Sequence, residues 1–394
     1  MRILVTDGDN RSALAAVRSL GRAGHEVFSA CDFLPTLCST SRYCSGKDTY
    51  PSPVVDPLGF VHAVHEIVRR RAIDLLMPMT EISTLLLTEH AAGLPSNCRL
   101  PFPDVAAVSA AADKCQVLKL AGQLGVPTPR SIPVSSLQEG LDAAATLGFP
   151  VVLKSGRSRV WNGQRWISTS VAYARTREEL VEHLARIPAE AFPVLAQERI
   201  EGPGVGVFLC CDDRGVMAAF AHRRIREKPP SGGQSVLSES TAVDPVAFDQ
   251  AARLLRALSW RGVAMVEFKR DIRDGSLRLM EINGRFWGSL QLAIDAGVDF
   301  PGLLVDLAEG RRPASLPTYR LGVRLRWLWG DVDSLLAVLF KSRRALNLPP
   351  SHPGKFRSVL NFLVLWKPRM RYELERLDDP GPAWLELRRR LLSR

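Results

Sequence analysis

Long apolar runs are absent from this sequence of 394 residues. A helix that crosses a bilayer needs about 20 consecutive apolar residues, and the most apolar stretch of the tail, VLNFLVLW, is far shorter. The opening MRILVTDG leads straight into a short β-rich segment, without the basic start and apolar core of a secretory signal peptide. Both absences argue against an integral membrane protein, and we expect a cytoplasmic one.

Cysteine is sparse and follows no ligand pattern. The chain has 7 cysteines and no CxxC pair. Cys31, Cys38 and Cys44 form the only cluster, and structural zinc sites usually draw on more closely spaced ligand pairs. We therefore expect reduced thiols.

Excess charge is missing from most of the chain. Residues 311–394 contain 18 Lys and Arg against 7 Asp and Glu, whereas the first 310 residues carry 34 of each sign. A basic excess confined to the tail does not favour a nucleic-acid-binding protein. Three interpretations of the tail stay open: contact with an anionic membrane surface, recognition of an acidic substrate over the active site, or a helical subdomain packed on the core.

A glycine-rich dinucleotide fingerprint is also missing. MRILVT and HEVFSA are typical of short strands, and the segment between them has helical spacing, so the opening predicts a parallel α/β domain. Its first turn, TDGDNRS, lacks GxGxxG spacing, although Asp32 follows the second strand where an acid could bind ribose. The interpretation of the chain as an NAD-dependent oxidoreductase therefore rests on the βαβ unit alone.

The middle of the chain contains further strands and helices. RLPFPD predicts a linker, VAAVSAAADKCQVLKLAGQLG one long helical stretch, and FPVVLKSG a buried strand followed by a strand at ISTSVAYA. Strands are also predicted at PVLAQERIEG, VGVFLCCDDRG, VMAAFAHRRIRE, VAMVEFKRDI and SLRLMEIN.

The last of these strands ends in polar groups that are costly to bury without partners. Alternation puts Leu279, Glu281 and Asn283 on one face. A three-residue loop with a left-handed glycine and a bulge would set Glu267 of the preceding strand opposite Glu281. Facing acids need a cation, and hard oxygen ligands suit magnesium. The alternative is a surface ladder with Lys269 or another basic residue as the counter-charge.

A basic, bendable segment, AHRRIREKPPSGGQ, lies upstream. Alternation puts Arg224 and Arg226 on one face and Arg223 on the other. Such a segment suits a γ-phosphate or an acceptor substrate, and the alternative is a solvated strand end. For His222 the pattern favours a packed or hydrogen-bonded histidine over a general base.

Together, VAMVEFKRD and LRLMEINGRFWGS resemble the metal-binding end of ATP-grasp enzymes, nearest to the carbamoyl-phosphate-synthetase-like carboxylate–amine ligases. The resemblance covers roughly residues 1–310 in the family's order. It implies an α/β (α+β ATP-grasp) fold with a Rossmann-like N-terminal domain. The implied divisions are a pre-ATP-grasp domain at 1–103, a small lid subdomain at 104–188, a large subdomain with the metal site at 189–312, and a basic, mainly helical extension at 313–394.

The resemblance also implies individual roles. Two lysines would bind the nucleotide's phosphates, the segment LAQERIEG would receive adenine with Glu198 holding its amino group, and an arginine would handle the carboxylate or acyl phosphate. The implied residues are Lys114, Lys154, Gly156, Gln197, Glu198 and Ile200 for ATP, Glu267, Glu281 and Asn283 for Mg²⁺ or Mn²⁺, and Arg285, Arg224 and Arg226 for catalysis.

The activity that this resemblance implies is an ATP-dependent ligation. A carboxylate would take the γ-phosphoryl group of ATP, and an amine would displace phosphate from the acyl phosphate. The alternative is a non-catalytic ATP-binding sensor, because PGVGV replaces the usual ribose-binding acid and the lid loop SGRSRVWNGQRW, with Gly163, is bulky. The partners expected are small-molecule carboxylate and amine substrates and a second copy of the chain in a homodimer. We do not expect nucleic acid to bind.

Overall fold

The computed structural model describes residues 1–157, 159–161, 166–168, 171–230, 232–346, 348, 352–365 and 367–392. Gly163 of the predicted lid loop lies outside these residues. Among the described residues, no helix is both long and apolar enough to cross a membrane.

The first part of the chain alternates strands and helices, as predicted. Its elements are β1 (Arg2–Val5), α1 (Arg11–Arg22), β2 (Glu26–Cys31), β3 (Gly46–Thr49), α2 (Pro57–Arg70), β4 (Leu75–Met77) and α3 (Glu81–Glu89). The strands pair in parallel in the order β3-β2-β1-β4. Ile3, Leu4 and Val5 are fully buried between the helices, which explains the apolar run of β1.

The next part forms a small antiparallel sheet with helices. Its elements are α4 (Val105–Ala112), α5 (Lys114–Gln123), β5 (Ser131–Val134), α6 (Leu137–Leu147), β6 (Val151–Ser155), β7 (Arg159–Trp161), β8 (Trp166–Ser168), β9 (Ala172–Ala174), α7 (Arg177–Ala185) and β10 (Val194–Glu198). The order is β5-β10-β6-β9, and β7 pairs with β8. Apolar residues of α6 and α7 cover one face of the larger sheet.

Two predictions for this part were wrong in detail. The predicted single helix is broken at Asp113, whose backbone is extended and whose Oδ1 accepts hydrogen bonds from the backbone N–H groups of Cys115 and Gln116. A side chain that caps a helix in this way starts a new helix. The strand predicted at ISTSVAYA is divided between β8 and β9.

A seven-stranded sheet positions the polar strand end. Its first strands and the accompanying helices are β11 (Gly204–Asp212), β12 (Gly215–Lys228), β13 (Gln234–Thr241), α8 (Pro245–Ala257), β14 (Gly262–Arg270), β15 (Leu277–Asn283), α9 (Leu290–Ala296) and α10 (Phe300–Ala308). The order in the described residues is β15-β14-β11-β12-β13, continued by two strands of the tail. Val266 and Phe268 pack with α8 on one face, while Phe208 and Met265 pack with α9 and α10 on the other.

The tail is part of the folded core and contributes more than helices. It contains β16 (Arg324–Arg326), α11 (Leu328–Phe340), α12 (Lys355–Leu363), β17 (Met370–Tyr372) and α13 (Gly381–Leu392). β16 and β17 extend the large sheet. The buried Arg18 donates from Nε to Oδ2 of Asp379 at 2.7 Å, so the tail also packs on the first helix. Contact with a membrane and self-association stay predictions.

Candidate active site

The two acids of the polar strand end face each other, as predicted. Glu267 on β14 pairs directly with Glu281 on β15. The bulge that produces this register lies at Met280, which has no partner opposite, and it does not lie in the turn as predicted. The prediction that Leu279 shares the face of Glu281 was therefore wrong, because the bulge turns Leu279 into the apolar core.

The turn itself is also longer than predicted. Asp271 donates its backbone N–H to the carbonyl of Ser276, which leaves residues 272–275 as the loop. Gly275 has φ of +72°, the left-handed conformation that was predicted for it.

Cationic and amide groups from distant parts of the chain surround the acids. Nη2 of Arg224 lies 2.8 Å from Oε2 of Glu267. Nζ of Lys114 lies 3.8 Å from Oε2 of Glu281, and Asn283 donates from Nδ2 to Oε1 of the same carboxylate at 3.0 Å. The acids are therefore the centre of a half-buried charge cluster and do not form a surface ladder.

The pKa values of the two carboxyl groups are shifted in opposite directions. Burial raises the pKa of Glu267, and the adjacent Arg224 offsets this rise only in part. Burial also acts to raise the pKa of Glu281, but Lys114, Asn283 and Lys154 outweigh it and hold that pKa below its ordinary value. Glu267 is therefore the acid with more to gain from an added cation.

Arg285 lies at the end of the same strand. Its Nη2 donates to Oδ1 of Asn283 at 3.3 Å, and its Nη1 donates to the carbonyl of Phe286 at 2.8 Å. The side chain thus adjoins the acids as predicted from the strand end. Its role in handling a carboxylate stays a prediction.

Both predicted phosphate-binding lysines reach this cluster. Burial lowers the pKa of Lys154 to about 8, with Glu281 acting to raise it and Lys114 to lower it further. Lys114, at the start of α5, donates its backbone N–H to the carbonyl of Gly156 at 2.8 Å. The glycine that follows β6 therefore lies beside the first lysine.

The predicted adenine segment is only partly directed towards the lysines. Lys154 pairs with Leu195, so Gln197, two residues on, shares its face of the small sheet. Gln197 is buried and donates to Oγ of Ser131 at 2.8 Å. Glu198 points to the opposite face, where its Oε1 accepts from the backbone N–H of Arg130 at 2.9 Å. This placement does not favour the predicted contact of the Glu198 carboxylate with adenine.

Lys269 is a cation that the sequence analysis considered only as a surface counter-charge. It lies two residues after Glu267 on β14, and its Nζ donates to the carbonyl of Ile200 at 3.3 Å. Burial, followed by the charge of Arg199, lowers its pKa. Because Lys269 lies two residues after Glu267 on the same strand, the alternation of side chains places it on the face of the acids.

The prediction that Arg224 and Arg226 share a face was wrong. Arg224 pairs with Ser238 but Arg226 pairs with Leu237, because Ile225 forms a bulge. Arg226 therefore points away from the acids and donates from Nε to Oδ1 of Asp331 in the tail at 2.6 Å.

His222 is a packed histidine, as the pattern favoured. Its Nε2 lies 2.7 Å from Oγ of Ser289, and its ring stacks on Phe208 at a centroid distance of 4.8 Å. Burial, with the charge of Arg224, lowers its pKa to about 3.

The donor set at the strand end fits a hard divalent cation. In the described residues, no group of three or more His, Cys, Asp and Glu side chains could hold a metal ion. Two carboxylates, Glu267 and Glu281, would have to be completed by the amide oxygen of Asn283, by water and by phosphate oxygens. Magnesium is typically bound in this way, and the raised pKa of Glu267 shows that its negative charge is only partly compensated.

Comparisons with known proteins point to one family. The family model described as "ATP-grasp in the biosynthetic pathway with Ter operon" matches residues 190–330, which include the acids, Asn283 and Arg224. The carbamoyl phosphate synthase large chain of Thermomicrobium roseum is 28% identical over 202 residues, covering 50% of this chain and 18% of that protein. The large chain from Gemmatimonas aurantiaca is 22% identical over 390 residues, covering 94% of this chain and 31% of that protein. The chain thus spans less than a third of either relative.

Solved structures have a similar fold. Biotin carboxylase from Campylobacter jejuni, in a β,γ-ATP complex, matches with a TM-score of 0.64 and 16% identity, over 82% of this chain and 74% of that one. N5-carboxyaminoimidazole synthetase from Staphylococcus aureus matches with a TM-score of 0.62 and 15% identity, over 82% of this chain and 80% of that one. At these identities the likeness shows the fold alone.

Proposed function

We propose that this chain, whose residues 190–330 match an ATP-grasp family model, is an ATP- and Mg²⁺-dependent ligase that joins a carboxylate to an amine. One observation carries the proposal. Glu267 and Glu281 face each other on paired strands while Arg224 and Lys114 contact them from distant parts of the chain. An arrangement of facing acids and converging cations suits phosphoryl transfer, which depends on positioned charges more than on covalent catalysis.

The first step is the activation of the carboxylate. A carboxylate oxygen attacks the γ-phosphorus of ATP, and the bond from that phosphorus to the bridging oxygen of ADP breaks. Lys154 and Lys114 hold phosphate oxygens, since both ammonium groups adjoin the acids. Glu267, Glu281 and Asn283 would hold magnesium, which would supply charge that neutralises the transferred group.

The second step forms the new bond. The amine nitrogen attacks the carbonyl carbon of the acyl phosphate, the carbon–oxygen bond to phosphate breaks, and the nitrogen loses a proton. Arg224 and Arg285 orient the carboxyl group. The guanidinium group of Arg224 contacts Glu267, and that of Arg285 contacts Asn283 beside Glu281. His222 does not accept the proton, because its ring is buried against Phe208 and its pKa is lowered to about 3.

Adenine binding is assigned to the backbone of the segment that ends β10. The carboxylate of Glu198 is already held by the backbone N–H of Arg130 on the far face of the sheet. Gln197, in contrast, shares the face of Lys154. An adenine ring placed on that face keeps its phosphates within reach of the lysine.

The test measures ATP binding and turnover in the wild type and in Glu281→Gln. ATP with Mg²⁺ at about 100 times its dissociation constant should stabilise the wild type by about 2.7 kcal/mol. The variant should lose the Mg²⁺-dependent part of this stabilisation, because an amide binds Mg²⁺ more weakly than a carboxylate does. Glu66→Gln, at an exposed position of α2, is the matched control.

The outcomes distinguish the alternatives. Formation of ADP and phosphate with a mixture of carboxylates and amines, lost in Glu281→Gln, supports the ligase. Mg²⁺-dependent ATP binding without ADP formation under any mixture would favour a sensor. Equal stabilisation of both proteins by Mg²⁺ and ATP would overturn the metal assignment.

A further inference from the structure

A cavity lies between the large sheet and the tail, and its lining includes Arg224 but neither Glu267 nor Glu281. Its volume is about 480 Å³, which is in the range of sites for small ligands. Residues from the end of β12, from β13, and from α11 and α12 line it. The lining residues that matter here are Arg224, Leu237, Val338, Ser358, Phe362 and Lys367.

The charge of this cavity is predominantly positive. Five cationic side chains line it, against the two acids Glu227 and Asp331. Asp331 is already occupied by Arg226 and Arg326, and Glu227 accepts from Arg224 at 3.1 Å. In the described part of the chain, no carboxylate lies within ion-pair distance of Lys367. The four lining arginines also have carboxylate partners: Glu239 for Arg223 and Arg324, Glu267 for Arg224, and Asp331 for Arg226. An anionic ligand would therefore find its counter-charge first at Lys367.

The remaining lining is apolar. Leu237, Val338 and Phe362 present aliphatic and aromatic groups from three different elements. Val338 and Leu237 are buried by the packing of α11 on β13. The lining therefore combines basic and apolar side chains, which fits an anion with an apolar body.

Arg224 connects this cavity to the acids. The same guanidinium that lines the cavity lies 2.8 Å from Oε2 of Glu267. A carboxylate that enters along the apolar lining and reaches Arg224 is thereby placed beside a proposed magnesium ligand. The two sites share this one side chain.

We propose that the cavity between the β12–β13 strands and the tail helices α11 and α12 binds the carboxylate substrate, a small carboxylic acid with an aromatic or branched apolar body. This proposal rests on the proposed ligase function. It assigns substrate selection to the tail, because α11 and α12 supply most of the lining that is not sheet. Of the three interpretations of the basic tail, it selects recognition of an acidic substrate.

The probes for the experiment are para-fluorobenzoate, para-fluorophenylacetate and, as the neutral control, para-fluorobenzyl alcohol. Their binding to the full chain is followed by fluorine NMR at millimolar concentration. Ser358→Trp fills the cavity from α12, and Leu360→Trp places the same side chain at an exposed position of that helix. Lys367→Gln removes the lysine that lines the cavity, and Lys341→Gln, also at an exposed position but outside the cavity lining, is its control.

We expect at least one of the two carboxylates to bind the wild type and the alcohol to bind much more weakly. Ser358→Trp should weaken that binding about tenfold and Lys367→Gln should weaken it measurably, whereas both controls match the wild type. Failure of both carboxylates to bind, or equal binding to Ser358→Trp and Leu360→Trp, would overturn the assignment.

A parallel thermal shift with ATP and Mg²⁺ separates this proposal from the ligase itself. Ser358→Trp should retain the full nucleotide shift, because Ser358 does not contact the acids or the lysines. A preserved shift with no carboxylate selectivity would refute the cavity assignment alone. Carboxylate binding at the cavity with no nucleotide shift in any protein would refute the ligase instead.

Discussion

Nη2 of Arg224 on β12 lies 2.8 Å from Oε2 of Glu267 on β14, and the two strands are separated by β11. Without a metal ion, the arginine is the main counter-charge of a carboxylate whose pKa is raised by burial. With a metal ion on Glu267, the guanidinium is available for the substrate. We therefore propose that this contact links metal binding to substrate binding.

The first prediction concerns this ion pair. Arg224→Gln should lower the free energy of unfolding by about 1–3 kcal/mol, because Glu267 loses its charged partner in a half-buried place. Mg²⁺ should restore part of that stability, and should stabilise the variant more than the wild type. Urea unfolding with and without Mg²⁺ measures both effects. Arg223→Gln, whose partner Glu239 lies on the other face, is the control; an equal Mg²⁺ effect in all three proteins would contradict the prediction.

The second prediction concerns the pH dependence of ATP binding. Burial lowers the pKa of Lys154 to about 8, so the free protein loses this charge as the pH rises above 8. Bound phosphate should raise the pKa again. Binding should therefore take up a proton near pH 8, and the affinity should fall up to about tenfold per pH unit above it. Calorimetry in buffers of different ionisation enthalpy measures the uptake, and Lys154→Arg should abolish it.

The same lysine affects stability with a defined sign. Its pKa in the folded protein, about 8, lies below the ordinary value of 10.5, so the unfolded chain binds this proton more tightly. The resulting cost to folding is fully present below pH 8 and is relieved as the pH rises from 8 towards 10.5. Lys154→Met should therefore unfold at a higher urea concentration than the wild type at pH 7, with a smaller difference at pH 10. An unchanged difference would argue that Lys154 is not buried as a cation.

Strand alternation, together with a bulge expected in the turn, predicted the pairing of Glu267 with Glu281, but it did not locate the bulges. The bulge at Met280 places Leu279 in the core, and the bulge at Ile225 separates Arg224 from Arg226. A bulge shifts the face of every later residue in its strand. A bulge leaves no clear mark in a single sequence, so the predicted faces were wrong for Leu279, which precedes the bulge in β15, and for Arg226, which follows the bulge in β12.

Two other features were hidden for different reasons. The apolar spacing is continuous through Asp113, and only its capping preference hints at the break between α4 and α5. β16 and β17 are each three residues long, and their pairing with a distant sheet depends on tertiary contacts. The tail therefore looked mainly helical although it completes the sheet.

The fourth prediction tests whether the tail is integral to the fold. Asp379 is buried and accepts from Arg18, from Oγ of Ser41 at 2.7 Å and from the backbone N–H of Arg42 at 2.9 Å. Asp379→Ala leaves the Arg18 charge buried and without its carboxylate, which should cost about 3–5 kcal/mol in urea unfolding. Asp378→Ala, at the exposed neighbouring position, should cost less than about 1 kcal/mol. Similar losses in both variants would show that the buried pair is not what joins the tail to the first helix.

The last prediction concerns the protonation of His222. Because burial, with the charge of Arg224, lowers its pKa to about 3, the ring should stay neutral between pH 5 and pH 8. Its NMR signals, assigned by comparison with His222→Gln, should not move over this range, and the pH profile of ATP turnover should be the same in both proteins. A titration near the ordinary histidine pKa of about 6.5 would mean that water reaches the ring. His222 would then be a candidate for the proton acceptor in the second step, since its Nδ1 has no hydrogen-bond partner among the described residues.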